Sequence, residues 1–328
     1  MSNAHILITG TAGMVGSHLL EYYSGKVKKE FLIGTYFNPT INLNDIVDLC
    51  VPIQLDVRNA SAIEKIIHEF KPGKIFHLAA QSYPTVSWLR PVETMDINSS
   101  GTINLFEAII SARKLDAAYD PVVIVACSSA EYGASLTPEN IPIKENAALL
   151  PLHPYGVSKV AQDLLTYQYF KGHNIKGIRA RIFNTTGSRK TNDAVSDFVQ
   201  RALDVINGKT EKLRVGNLTS LRAITDVRDL VSALVLLSEK GTAGEAYNIS
   251  GEKVYSMKEV IDVIEKVCNR KFVLETESSL MRPTDEPIIY GDSSKLKTET
   301  GWQQKYSLHE TIMDMLKYLE KKSDALLK

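Results

Sequence analysis

The chain has 328 residues, enough for a sizeable core in either two domains or one large α/β unit with an insertion. Hydrophobic residues make up 44%, and the 38 Lys+Arg balance the 38 Asp+Glu, so composition indicates neither disorder nor a nucleic-acid surface, and any anion must be bound by a local cluster. Cys50, Cys127 and Cys268 are too scattered for a zinc site or a disulfide framework; with no apolar run of transmembrane length and no signal-peptide core, a cytoplasmic protein without a membrane partner is expected.

Short runs rich in β-branched residues recur at 5–9, 31–35, 51–55, 74–78, 122–126, 177–183 and 246–249 and read as strands. Helical spacing lies between most of them, as in Ile63, Ile66, Ile67 and Phe70, or Ile103, Phe106 and Ile110. Strands alternating with helices predict an α/β fold, a Rossmann-type doubly wound parallel sheet. Beyond residue 184 the alternation loosens into predicted helices at 193–207, 226–239, 256–268 and 307–322 with a short strand near 213–215. Asp193 is placed to cap the first of these. The expected division is a dinucleotide-binding domain over 1–183, completed by about 226–250, and a smaller, mostly helical substrate-binding region over 184–225 and 251–328.

Gly10-Thr11-Ala12-Gly13-Met14-Val15-Gly16 follows the first strand and opens a helix near Met14. A glycine for the turn, one for close approach of backbone to a pyrophosphate and one for helix–sheet packing, ahead of a helix amino terminus with free N–H groups, predict a dinucleotide site. Asp56, after the third strand, is the candidate adenine contact. The second strand ends Tyr36-Phe37-Asn38, with Asn38 the candidate ribose contact. The stretch has no acid to reject a 2′-phosphate and no arginine to hold one, so NADP and NAD are both admitted.

Tyr155-Gly156-Val157-Ser158-Lys159 opens another predicted helix, and the i, i+4 spacing puts phenol and ammonium on one face. A nearby ammonium is expected to lower the phenol pKa and so to make an acid/base suited to carbonyl–alcohol interconversion. Ser128, at the end of the fifth strand, is the candidate hydroxyl for the reacting oxygen, with Ser129 the alternative. No His, Cys, Asp and Glu cluster has ligand spacing, so no metal is expected.

Together with His77-Leu78-Ala79-Ala80, Asn98, Asn184, Arg222 to Val227, Arg282-Pro283, Gly291-Asp292 and Gly301-Trp302, these motifs resemble the extended short-chain dehydrogenases acting on nucleotide sugars. The similarity is greatest to the group of GDP-6-deoxy-4-keto-mannose reductases and GDP-mannose 4,6-dehydratases. The resemblance adds Val57, Leu78, Ala79 and Ala80 to the cofactor contacts. It assigns the substrate diphosphate of a GDP-sugar to Asn184, Arg222 and Arg282, and it implies a homodimer or homotetramer, with dimers formed through helices near 98–113 and 155–170. In the dehydratases it implies a Glu two positions after the catalytic Ser or Thr; here that position is Ala130, so reduction of a 4-keto sugar is expected. Arg189-Lys190 is similar to a dehydratase loop, which keeps GDP-mannose or GDP-heptose dehydration open, alongside C4 oxidation with epimerisation and a catalytically silent nucleotide-binding scaffold.

Overall fold

All of the apolar runs become strands of one parallel sheet: β1 (Ile6–Thr9), β2 (Leu32–Tyr36), β3 (Val51–Gln54), β4 (Lys74–His77), β5 (Val122–Ser128), β6 (Lys176–Ile182) and β7 (Ala246–Ile249). The computed structural model describes residues 4–280 and 286–326. Strand order is 7-6-5-4-1-2-3, every neighbouring pair parallel. The order reverses between β1 and β4, where the outward-winding halves part and leave a crevice at the strand carboxyl ends.

The long helices are α1 (Met14–Tyr23), α2 (Ala60–Phe70), α3 (Gly101–Leu115), α4 (Pro154–His173), α5 (Ala194–Ile206), α6 (Val227–Lys240), α7 (Met257–Cys268) and α8 (Leu308–Leu326). Successive strand side chains point to opposite faces, so each strand feeds two cores. Ile6, Ile8, Phe76 and Ile124 pack beneath Leu19 and Leu20 of α1 and Leu230 and Leu234 of α6. Leu7, Ile75, Val123 and Val125 pack beneath Ile67 of α2, Phe106 and Ile109 of α3 and Tyr169 of α4. Covering both faces is what lets the strands be almost wholly apolar.

In the second region α5, α7 and α8 share a separate core around Phe198, Val199, Ile261, Ile264 and Ile312. The expected cap on α5 is present and reciprocal: Asp193 accepts the Ser196 N–H at 2.7 Å, and Ser196 Oγ accepts the Asp193 N–H at 3.2 Å. The region holds more strand than its sequence predicts. Leu221–Ala223 pairs antiparallel with Val254–Ser256 and parallel with Ile288–Ile289, and Leu213–Val215 pairs with Leu274–Thr276. The strand near 213–215 is the one expected; its partner and the other two- and three-residue segments carry too few side chains to show a period, so only tertiary pairing defines them. The region is bound to the sheet layer through Asp229 of α6, whose carboxylate accepts the N–H groups of Lys305 and Tyr306, both at 3.0 Å.

Beneath the crevice lies a buried charge cluster. Arg181 of β6 donates to Asp163 of α4 at 2.9 Å and lies 3.3 Å from Glu131; it also donates to Tyr132 Oη and the Glu145 carbonyl, each at 2.9 Å. Removing one partner of such a cluster leaves the other charges buried and uncompensated. Arg181→Leu is therefore expected to destabilise the fold by about 3–5 kcal/mol, read as a drop in the urea unfolding midpoint; a midpoint equal to that of the parent chain would show that the cluster contributes no stability.

Candidate active site

The carboxyl ends of the sheet strands and the loops that follow them enclose a cleft of about 600 Å³. The glycine turn forms one wall. Gly10 sits at φ +77°, and a Cβ on it would lie 3.0 Å from the Ala79 backbone; a Cβ on Gly16 would lie 2.3 Å from the Gly10 carbonyl. These contacts press β1, the end of β4 and the start of α1 together, and the amino terminus of α1 opens into the cleft with unpaired N–H groups. Of the expected cofactor residues, Gly10, Ala12, Gly13, Met14, Val15, Gly16, Asn38, Asp56, Val57, Leu78, Ala79 and Ala80 line it. Thr11 does not: its side chain is fully buried and donates to the Thr35 carbonyl at 3.0 Å, tying the turn to β2.

Asp56 has a partner that spacing did not disclose. Arg58 donates Nη2 to its Oδ2 at 2.6 Å and its backbone N–H to Oδ1 at 3.0 Å, and these hydrogen bonds hold the Asp56 carboxyl below its ordinary range.

Ser128, Tyr155 and Lys159 meet at the opposite wall. Ser128 closes β5 and lies beside Tyr155, where its hydroxyl favours the phenolate; Ser129 lines the same cleft. Tyr155 lies in the first turn of α4, whose amino terminus is capped by His153 Nδ1 accepting the Gly156 N–H at 3.0 Å. The imidazole lies nearly parallel to the Tyr155 ring, 5.9 Å between centroids. Lys159 Nζ is 5.8 Å from the Tyr155 ring centroid and donates to the Ala126 carbonyl at 2.8 Å and Gln162 Oε1 at 2.7 Å.

The expected lowering of the phenol is not what this geometry produces. Burial pushes Tyr155 up to about 12, against the Ser128 hydroxyl, which pulls it down. Burial likewise pushes Lys159 down to about 8, although Cys127 and Glu131 favour its ammonium. The phenol is thus held neutral near pH 7, the form that gives a proton rather than takes one.

Glu131 leaves the cleft, as its offset from Ser128 suggests. It is fully buried, its Oε1 accepts the Ser128 N–H at 2.7 Å, and burial together with Asp163 holds its carboxyl well above the ordinary range. Ala130 takes the place on the cleft wall instead. Cys127, Glu131 and Asp163 bring their ligand atoms within 4.8 Å of one another, but Arg181 lies against both carboxylates.

Among the expected substrate residues, Asn184 lines the cleft with Oδ1 buried and lacking a hydrogen-bond partner. Arg222 lies behind that wall, donating to the carbonyls of Leu221 and Glu286 at 2.9 and 2.8 Å. Arg282 falls outside the described residues. The loop carrying Arg189, Lys190 and Thr191 also lines the cleft, held by Arg189 donating to Ser17 Oγ at 3.2 Å and by His18 Nε2 beside Ser188 Oγ at 3.1 Å. Nothing in the spacing of residues 17 and 189 reveals that contact.

A doubly wound sheet with a glycine turn at its switch point and a Ser, Tyr and Lys cluster across the crevice is the architecture of a dinucleotide-dependent oxidoreductase of the short-chain type. The sequence model of the family described as GDP-mannose 4,6 dehydratase matches residues 7–315. The chain is 25% identical to GDP-6-deoxy-D-mannose reductase of Pseudomonas aeruginosa over 313 residues, 95% of each chain. It is 29% identical to GDP-mannose 4,6 dehydratase 1 of Arabidopsis thaliana over 324 residues, 94% of this chain and 88% of the relative. The solved structure of RMD from Pseudomonas aeruginosa complexed with NADPH superposes with a TM-score of 0.83 at 23% identity, over 97% of this chain and 100% of that one. UDP-glucose 4-epimerase from Thermotoga maritima gives 0.86 at 22% identity, over 97% and 99%. The chain belongs to the GDP-mannose 4,6-dehydratase family of extended short-chain dehydrogenase/reductases, and is an NAD(P)-dependent enzyme that modifies nucleotide sugars. Among the described residues, no helix is long and apolar enough to cross a membrane.

Alanine in a helix is intrinsically better than glycine by about 1 kcal/mol, so the Gly16 contact decides the sign of a substitution there. Gly16→Ala is expected to weaken NADPH binding at least about tenfold and to lower the melting temperature, measured by nucleotide fluorescence titration and a thermal scan. A more stable variant with unchanged affinity would refute the close approach.

Proposed function

We propose that the enzyme reduces the 4-keto group of a GDP-4-keto-6-deoxy-hexose. The observation that carries this reading is Ala130: 4,6-dehydration requires a group to take the C5 proton and one to assist loss of the C6 hydroxyl, and the position beside Ser128 offers a methyl group while Glu131 is pinned in the core. Reduction at C4 asks less of the protein. The turn at Gly10–Gly16 with the α1 amino terminus would hold the pyrophosphate, Asn38 the adenosine ribose, and Asp56, Val57, Leu78, Ala79 and Ala80 the remaining walls of the cofactor site. The nicotinamide cofactor, when bound, supplies the hydride. Tyr155 gives its proton to the developing C4 alkoxide, Ser128 hydrogen-bonds the same oxygen, and Lys159 holds the ribose and replenishes favourable charge near the phenol. Asn184, Arg222 and Arg282 serve the diphosphate, Arg222 by turning from its carbonyl partners. No carboxylate ends β2, so both NAD and NADP are accepted by that wall.

The comparisons favour a second reading. The matching family model and the Arabidopsis relatives carry the name of the dehydratase, and the Arg189-Lys190 pair fits it. Two assays separate them. NADPH absorbance should fall when the enzyme meets GDP-4-keto-6-deoxymannose, and Tyr155→Phe should lower kcat at least about a hundredfold; retention of full turnover by that variant would remove Tyr155 from the chemistry. GDP-mannose incubated with the enzyme and NADP should keep its mass; loss of one water would establish the dehydratase instead. Inertness in both assays of a chain that binds cofactor would leave the scaffold reading.

Association as a homodimer is part of the proposal. Val157, Leu164 and Tyr167 are 45%, 51% and 41% exposed along one stripe of α4, a helix that in the resembling enzymes lies at the dimer contact. Leu164→Glu should convert the particle to a monomer by light scattering without unfolding it; a chain that is monomeric from the start would refute the contact.

A further inference from the structure

A buried lysine needs acceptors for its ammonium hydrogens, and those found on Lys159 come from different elements, the Ala126 carbonyl of β5 and Gln162 Oε1 one turn along α4. Gln162 is itself fully buried, and its amide nitrogen donates to Thr102 Oγ1 of α3 at 2.8 Å. The Thr102 hydroxyl donates to the Asn98 carbonyl at 2.7 Å, which leaves its lone pairs for Gln162 and for His77 Nε2, 3.2 Å away on β4. Across the imidazole, Nδ1 lies 3.0 Å from Thr9 Oγ1. That oxygen accepts the N–H groups of Leu78 and Ala79 at 3.1 and 3.0 Å, so its own hydrogen goes to Nδ1. One assignment agrees with each of these contacts: His77 is the neutral Nε2–H tautomer, and hydrogen bonds run unbroken from Lys159 to the backbone at the end of β4. Leu78 and Ala79 line the cleft, and Ala79 is the residue pressed against Gly10.

An apolar side chain of similar volume at position 162 would fill the same space without the cost of burying an amide. The amide has instead a defined task. We propose that Gln162 is a positioning residue for Lys159: its carboxamide fixes the ammonium between α4 and β5 and, through Thr102, His77 and Thr9, sets it in register with the strand ends that floor the dinucleotide site. The proposal rests on the reading of Lys159 as the lysine that serves the cofactor ribose and Tyr155. Around the ammonium stand Cys127 on β5, Glu131 just beyond it, His77 on β4 and Tyr155 on α4; His77 is pushed down to about 3 by burial and stays uncharged, and Tyr155 stays protonated. Gln162 is the neutral neighbour whose charge can be changed without moving the backbone.

The test compares the parent chain with Gln162→Glu and Gln162→Met in two pH profiles. One is kcat/KM. The other, taken without substrate, is the dissociation constant of NADPH from its fluorescence. With Lys159 titrating near pH 8, both profiles should deteriorate on the alkaline side as the ammonium is lost. A carboxylate at 162 favours the ammonium and should move that limb up by about one pH unit or more, whereas methionine removes an acceptor and should move it down. Opposite displacements are what a merely structural role would not produce. An unmoved limb in both variants, or displacement of both in one direction together with lost thermal stability, would overturn the proposal. If the glutamate variant fails to fold, the methionine variant decides alone by its downward displacement or the lack of it. Should no GDP-sugar be turned over even by the parent chain, the proposed reaction fails while the binding profiles still decide the role of Gln162.

Discussion

Three stretches of backbone must touch at one end of the sheet, and the rest of the molecule is arranged around that contact. β1 pairs with both β2 and β4, so the turn leaving β1 has neighbours on each side, and α1 must begin directly above it. A side chain on Gly16 would strike the Gly10 carbonyl and one on Gly10 the Ala79 backbone. With hydrogen there, the turn closes, its Thr35 hydrogen bonds form at 2.9 Å, and the α1 amino terminus faces the crevice rather than solvent. This placement of backbone dipoles would let a chain with balanced charge hold an anion without a basic surface.

The second organising constraint is the handling of charge under the crevice. Lys159, Glu131, Asp163 and Arg181 are all nearly or wholly removed from water, each tied to partners on other elements. For Asp163, burial pushes its carboxyl up, but hydrogen bonds and charge from Arg181 and Arg179 outweigh it and keep the group below its ordinary range. Glu131 connects this cluster to the chemistry. The turn that presents Ser128 to the cleft is the one whose N–H is capped by Glu131, so the acid is consumed in shaping the turn, and Ala130 is what lines the cleft. A one-residue offset on a tight turn therefore turns a carboxylate away from the cleft.

Charge burial also accounts for the states of Tyr155 and Lys159. The phenol and the lysine are each driven towards neutrality by the same removal from water, which leaves Tyr155 protonated near neutral pH. The loop at Arg189 closes the other side of the cleft by bonding to Ser17 and standing beside His18 on α1, so the second region forms part of the cleft wall next to the glycine turn.

The seven strands, the long helices and the Asp193 cap were legible because apolar period and capping chemistry are local, and local order is what a linear sequence states directly. The glycine turn and the Tyr155/Lys159 pair were legible for a related reason: both depend on spacing within one turn or one helix. The remainder depends on residues far apart in the chain. Asp56 turned out to be gripped by Arg58, Thr11 turned inward to Thr35, and Arg222 lay behind Glu286. Sequence alone determined which groups this protein possesses and along which elements they are spaced. Tertiary structure decided which of them reach the cleft and in which protonation state, because burial and partners contributed by other elements set both.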